Sequence, residues 1–307
     1  MSEPATNPPA ISFIQPGTLW ELTQQKTESA RQCGALKSIE TEYQAIKQED
    51  VFFVVRTLSN LKRKEQTKKE QNQKEKKTGK RIDPFLPYEP ELFVGDISNS
   101  HLCLLNKFNV VDNHLLIVTR AFEEQTDLLN LEDFAALWFC LQEIDGLAFF
   151  NGGEIAGASQ RHKHLQLIPL PFIADVVYLP IGHAIASAAF QDSLGTISSF
   201  PFRHGVASLD LSLNDDPQTA AKVMLQQYHS LLDLVGIKGD RHPKAYNLLA
   251  TRNWMLIVPR SQHSFANIPV NSLGFAGSLF IRDQDSWELL KQLTPLELLK
   301  NVAFPKD

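Results

Sequence analysis

The sequence predicts an α+β fold made of two related halves in one chain, with antiparallel sheet and flanking helices. Three observations predict it. Short apolar, β-branched runs occur in pairs separated by polar turns, as in hairpins. Stretches with a 3.6-residue apolar period and recognisable caps lie between them. Finally, Asn113-His-Leu-Leu-Ile-Val-Thr-Arg120 is echoed by Asn253-Trp-Met-Leu-Ile-Val-Pro-Arg260. Another apolar run precedes each, Leu102–Asn106 and Tyr246–Ala250. A duplicated unit accounts for order and turn residues together; a general likeness between amphipathic hairpins is the plainer alternative. The two halves are placed at 1–185 and 186–307.

Bulk properties narrow the class. A 307-residue chain with 43% apolar residues and a formal charge of −5 is a globular protein, not a basic one throughout. Cys33, Cys103 and Cys140 are far apart and form no CxxC pair, which suits a reducing compartment. No basic-then-apolar leader is visible at the N-terminus, and no apolar run approaches the ~20 residues of a membrane span. The expected location is therefore the cytoplasm, with no membrane partner.

The elements are predicted in order as follows. Residues 1–16 are a proline-rich lead-in, and Gly17–Lys47 reads as helical. Val51–Val55 is a strand. The run Lys62–Arg81 holds ten Lys or Arg against three Glu and cannot bury apolar surface, so it is read as a solvated insertion. With no aromatic side chains for base stacking, it is not expected to bind nucleic acid. Asp83–Pro90 is a rigid connector. Strands follow at His101–Asn106 and His114–Val118, with Lys107–Asn113 as the turn. Asn130 caps a helix whose apolar stripe runs Leu131, Phe134, Leu137, Trp138, Leu141, Ile144, and Gly146 is its stop. Residues 172–216 look like loop. Pro217, after Asp215-Asp216, opens a helix to Gly236. Ala245–Thr251 and Trp254–Val258 are strands, and Thr294-Pro-Leu-Glu297 has the pattern of a capping box.

The chemistry concentrates in residues 151–171. A polar turn with Gly152, Gly153 and Gly157 leads into an alternating run that reads as a strand. There His162, His164 and Gln166 share one face, opposite Lys163, Leu165 and Leu167. A neutral imidazole can attack phosphorus, provided one ring nitrogen is free and the other is held. Gly157-Ala-Ser-Gln160 offers backbone N–H groups, a hydroxyl and an amide suited to phosphate oxygens. Other readings stay open: His-x-His is also a zinc-ligand arrangement, the pair could be ordinary polar residues of a half-exposed strand, and the glycines could be turn glycines.

The segment Gly157-Ala-Ser-Gln-Arg-His-Lys-His-Leu-Gln166 resembles the active-site motif of the ATP adenylyltransferases, or diadenosine tetraphosphate phosphorylases. These belong to the histidine-triad superfamily and are related to the galactose-1-phosphate uridylyltransferases. The likeness extends to Leu105–Phe108, Asn113–Thr119, Asn247–Arg260 and Asn271–Arg282, and so covers most of the chain from about Asp83 to Val302. Two positions depart from the family pattern. Ala158 stands where Ser is usual, and Arg161 where an acidic residue is common.

The resemblance implies two histidine-triad-like halves and assigns roles. His164 would be the nucleophile, forming an adenylyl-histidine intermediate. His162 would sit behind it and fix its orientation, and Gln166 would stand in place of a third histidine. An amide cannot protonate a basic leaving group, so a polyphosphate anion is the expected one. Asn106 and Lys107 would lie near ribose and phosphates, with Asn151, Gly157, Ala158, Ser159 and Gln160 on the phosphate chain. Asn271, Ser272, Leu273, Ser278 and Arg282 would complete the site from the second half. The implied reaction is phosphorolysis of diadenosine tetraphosphate to ATP and ADP and its reverse, by a monomer, with Mg²⁺ bound to the nucleotide phosphates. The alternatives are a nucleotidyltransferase using sulfate or a sugar phosphate, and a nucleotide-binding protein without turnover.

Overall fold

The computed structural model describes residues 13–58, 83–238 and 244–306. The basic run 62–81 and most of the N-terminal lead-in lie outside them. The chain runs α1 (Leu19–Gln32), β1 (Thr41–Gln48), β2 (Val51–Leu58), β3 (Phe93–Asp96), β4 (His101–Leu105), β5 (Leu115–Thr119), α2 (Leu131–Glu143), β6 (Gly146–Asn151) and β7 (His164–Pro169). Then follow α3 (Gly182–Ala186), β8 (Ala189–Gln191), β9 (Leu194–Thr196), β10 (Gly205–Ser208), α4 (Pro217–Leu234), β11 (Tyr246–Ala250) and β12 (Trp254–Pro259). A small ribbon, β13 (Ser264–Phe265) with β14 (Ile268–Pro269), precedes α5 (Ser272–Phe275), β15 (Ser278–Ile281), α6 (Gln284–Leu293) and α7 (Pro295–Val302).

Ten strands form one antiparallel sheet in the order β3-β4-β5-β7-β6-β11-β12-β10-β9-β8. That order is a palindrome of two five-stranded units, β3–β7 and β8–β12. β6 and β11 meet at a pseudo-twofold axis, where Phe149 pairs with Leu249. The registers repeat as well. Leu115 pairs Leu167, and ninety residues further on each strand Gly205 pairs Ile257. The duplication is thus real, but its alignment differs from the expected one. The echo had set Asn113–Arg120 against Asn253–Arg260, whereas the pairings equate β5 with β10 and β7 with β12. Buried strands share one apolar composition, so likeness of sequence selected the wrong partner.

Several local expectations are also revised. The first helix stops at Gln32, where Gly34 takes φ +74°, and residues 41–48 form a hairpin with β2 instead of continuing it. The region 172–216 holds three short strands, β8 to β10, that complete the sheet. Gly146 opens β6 instead of closing α2. A Cβ there would lie 2.7 Å from the Ile168 carbonyl oxygen, so its role is close approach of β7. Thr294 forms no capping bond; its hydroxyl accepts from Gln48 Nε2 at 3.2 Å. By contrast, Asn130 and Asp133 form the full capping box of α2, and Asp216 caps α4 through the Gln218 and Thr219 N–H groups.

One face of the large sheet is covered by α1, α2 and α4, with Phe134, Leu137, Trp138 and Leu141 of α2 fully buried. The other face packs against the three-stranded sheet β1-β2-β15 and the C-terminal helices. On that second face, directly opposed partners from Phe93 to Phe190 run Leu104, Leu116, Gln166, Phe149, Leu249, Leu256, Val206 and Gly195. Gln166 is the one polar residue in this row. Among the described residues, no helix is long and apolar enough to cross a membrane.

Candidate active site

His164 begins β7, opposite Val118 of β5. Its main chain is clamped by the buried Gln125, which accepts from the His164 N–H at 2.9 Å and donates to its carbonyl at 3.1 Å. His164 Nδ1 donates to the His162 carbonyl at 2.8 Å. That bond fixes the tautomer, leaving the Nε2 lone pair without a hydrogen bond among the described residues. Burial pushes the imidazole down to about 4, with His162 adding to the effect and the carbonyl bond working against it. His164 is therefore neutral at pH 7. A neutral ring with one nitrogen held and the other free is what nucleophilic attack needs.

The His162 ring is held differently. Its Nδ1 lies 2.7 Å from Asp83 Oδ2, and its Nε2 lies 2.8 Å from the Thr119 carbonyl and 3.0 Å from the Thr119 hydroxyl. Both nitrogens are thus engaged, which removes His162 as a zinc ligand in this arrangement. The residue acts on His164 through its carbonyl, while its ring anchors that carbonyl to β5. Phe85 lies edge-on to both rings, at centroid distances of 5.0 Å from His164 and 5.9 Å from His162. Asp83, Phe85, Thr119 and Gln125 were not singled out from the sequence, because each reaches the site from a distant segment without a local pattern.

Lys163 points to the opposite side of the strand and is 1% exposed. Its Nζ is 2.6 Å from Asp133 and 2.9 Å from Glu123, and Asp133 also meets His101 Nε2 at 3.0 Å. Burial alone would lower the lysine, but the two carboxylates outweigh it and the net shift is upward. A buried ion pair therefore pins the peptide that carries both histidines.

The turn 157–160 lies against the second half. Gly157 has φ +95°, and a Cβ on it would come within 2.7 Å of Asn271 Cβ, so glycine is required both for conformation and for space. Ala158 N donates to the Gly153 carbonyl at 3.1 Å. The Ser159 and Gln160 side chains make no hydrogen bond among the described residues. Arg161 pairs with Glu124. Asn151 and Ser272 belong to a buried junction between the halves. Asn151 Oδ1 accepts from Asn247 Nδ2 at 2.9 Å, from Ser272 N at 2.9 Å and from Ser272 Oγ at 2.8 Å. Arg260, which burial lowers to about 9, donates to Asn247 Oδ1 at 2.6 Å. Asn271 caps α5 through the Leu273 N–H, with Leu273 buried.

Asn106 and Lys107 sit at the β4–β5 turn, with Lys107 paired to Glu89 at 2.5 Å. Ser278 is buried on β15, its hydroxyl without a partner among the described residues, and Arg282 is exposed just beyond that strand. Both are thus tied to the separate three-stranded sheet and not to the strand that carries His164. Among the described residues, no three of His, Cys, Asp and Glu gather as a metal site.

Residues 9–187 match the Ap4A phosphorylase N-terminal domain and residues 198–305 the ATP adenylyltransferase C-terminal domain. The chain belongs to the Ap4A phosphorylase family. Among curated proteins it is 29% identical to diadenosine 5′,5‴-P1,P4-tetraphosphate phosphorylase 2 of Saccharomyces cerevisiae, over 68% of this chain and 72% of that one. It is 27% identical to the protein named APA1 of the same yeast, over 94% and 95%. Among solved structures, the yeast Ap4A phosphorylase Apa2 superposes with a TM-score of 0.75 at 26% identity, covering 96% of this chain and 97% of that one. Its complex with AMP gives a TM-score of 0.71 at 25% identity, over 96% and 99%. The two-half α+β architecture expected from the sequence is the one this family has.

Proposed function

We propose that this chain performs phosphorolysis of diadenosine tetraphosphate to ATP and ADP, and the reverse adenylyl transfer, through an adenylyl group carried on His164. One observation carries the reading: the Nδ1 bond to the His162 carbonyl leaves a neutral Nε2 as the free nucleophile, beside Gln166. In the first step the Nε2 lone pair attacks the phosphorus next to one adenosine, the bond to the bridging oxygen breaks, and ATP leaves as the anion. In the second, a phosphate oxygen attacks the same phosphorus, the N–P bond breaks with the neutral His164 imidazole as leaving group, and ADP is the product. Neither leaving group needs a full proton, consistent with an amide at position 166. The turn 157–160 would hold phosphate oxygens through the side chains and N–H groups of Ser159 and Gln160, since the Gly157 and Ala158 N–H groups bond to the Glu154 and Gly153 carbonyls. Because that turn carries no carboxylate, Mg²⁺ would arrive bound to the nucleotide, screening the phosphate charge. The relatives' names and the AMP complex of Apa2 support a nucleotide substrate. Action as a monomer in the cytoplasm is part of the same proposal, and sedimentation tests the first of these.

The test is incubation, without phosphate, with diadenosine tetraphosphate labelled at the phosphorus next to adenosine, followed by denaturation. Acid-labile, base-stable label is expected on the wild type and none on His164→Ala, whose turnover should fall by on the order of 10⁴-fold or more. Label persisting on that variant removes His164 from the role. Running the second step with phosphate, then with sulfate, identifies the acceptor.

A further inference from the structure

Gln166 can act on a phosphate in two opposite ways, because its amide presents either N–H donors or a carbonyl oxygen to the same opening. A chain of hydrogen bonds decides between them, and its starting point is unambiguous. The Phe108 backbone N–H can only donate, and it donates to Asn106 Oδ1 at 3.2 Å. The Asn106 amide nitrogen therefore points the other way, toward His114 Nδ1 at 3.3 Å. Facing a donor, Nδ1 must be the bare nitrogen, so the ring proton resides on Nε2. His114 Nε2 lies 3.0 Å from Gln166 Oε1 and donates to it. The Gln166 oxygen is thereby occupied, and its NH₂ group is the end left to face the site. His114 is buried, its main-chain carbonyl accepts from Asn106 N at 2.8 Å, and its ring lies 5.7 Å from that of Phe149.

We infer that Asn106 and His114 form a polarity relay that turns the Gln166 amide so that it donates to the phosphate undergoing transfer. His114 is a positioning residue for the reaction proposed above, acting only through Gln166. The inference rests on that reading for its catalytic consequence, though not for the direction of the hydrogen bonds. Asn106, expected from the sequence to lie near ribose, acquires a second role, because its amide nitrogen sets the tautomer of His114.

Three measurements test it. Nitrogen-15 shifts of the His114 ring report the tautomer whether or not the protein turns over. The Nε2–H form is expected in the wild type, and an Nδ1–H form overturns the relay. In kinetics, His114→Phe should lower kcat by about tenfold to a hundredfold with little change in KM. In a Gln166→Ala background the same substitution should have no further effect; an additive loss in the double variant overturns the inference. Asn106→Asp supplies the variant that does not depend on losing a ring. The new carboxylate can only accept, so the ring proton shifts to Nδ1 to donate to it; neutral His114 then turns a lone pair toward Gln166 and flips its amide. Protonated His114 donates from both nitrogens and restores it. Turnover of Asn106→Asp, relative to wild type, should thus recover as pH is lowered, and a pH profile parallel to the wild type counts against the relay. A wild type with the expected tautomer but no label on His164 leaves the relay standing and removes the proposed reaction alone.

Discussion

The two halves of the large sheet carry the same strands in the same order, yet only one carries the two histidines and the amide of the candidate site. Position by position, His164, Gln166 and Lys163 of the first half correspond to Trp254, Leu256 and Asn253 of the second. The row of opposed side chains stays intact whether it holds Gln166 or Leu256, so the sheet itself does not need the amide. Nor does it need a buried charge beneath the strand, since Asn253 is exposed where Lys163 is sealed against Asp133. What distinguishes the first half is a set of polar groups held in fixed directions. His114 and His204 sharpen the point, for they stand at equivalent positions. His114 reaches across to Gln166. His204 turns back on its own segment, donating from Nδ1 to the Phe202 carbonyl at 2.8 Å and accepting the Ile197 N–H at Nε2 at 2.7 Å. The second half kept the ring and redirected its bonds.

The largest difference to break is the buried ion pair. Lys163→Met leaves Asp133 buried with His101 and the Asn130 N–H but without its cation, and should destabilise the fold by about 3–5 kcal/mol. The double variant Lys163→Met, Asp133→Asn should recover part of that loss, while Asn253→Met should change little. Urea unfolding of the three measures it. Equal effects at 163 and 253 would mean that the ion pair adds nothing specific to the reactive strand.

How much of this asymmetry the sequence disclosed depends on range. The cap Asn130 and the helix start at Pro217 were legible because each is a local pattern within a few residues. The alternation from His162 to Gln166 was legible for the same reason. The strands β8 to β10 were not: runs of three or four residues show no period, and only pairing with β12 makes them strands. The same limit hid Asp83 behind His162, Gln125 around the His164 peptide, and the junction of Asn151, Asn247, Ser272 and Arg260. Apart from Asn247 with Arg260, each of those contacts joins segments more than twenty residues apart. His114 stood inside the echoed segment, but its meaning came from the register that sets it beside Gln166.

A substitution that makes the first half resemble the second gives the next test. Gln166→Leu copies Leu256 onto the equivalent position, so the row of side chains should accept it. Turnover should fall by roughly a hundredfold or more, the effect of removing one preorganised donor from a developing charge. The expected signature is a lower kcat with a loss of about 1–3 kcal/mol in stability from the orphaned His114 Nε2–H, short of that for Lys163→Met. If stability falls as far as for Lys163→Met, then Gln166 serves packing, and the contrast between the halves at that position is structural.

The smallest effect concerns what the halves share. Burial holds both His164 and His204 down to about 4, below the ordinary value of 6.5. At pH 8 neither the folded nor the unfolded chain protonates these rings, so they add no pH dependence. Below 6.5 the unfolded chain takes up protons that the folded one does not accept until about 4. Stability therefore falls with pH across that window, by on the order of 2 kcal/mol per ring at pH 5. His204→Phe also orphans the Ile197 N–H and so lowers stability at every pH. The discriminating quantity is the difference in unfolding free energy between pH 8 and pH 5, which should shrink by about one ring's share, on the order of 2 kcal/mol. An unchanged difference would mean that His204 protonates in the folded state as readily as in the unfolded one. The burial that holds His164 neutral would then have no counterpart at His204 in the second half.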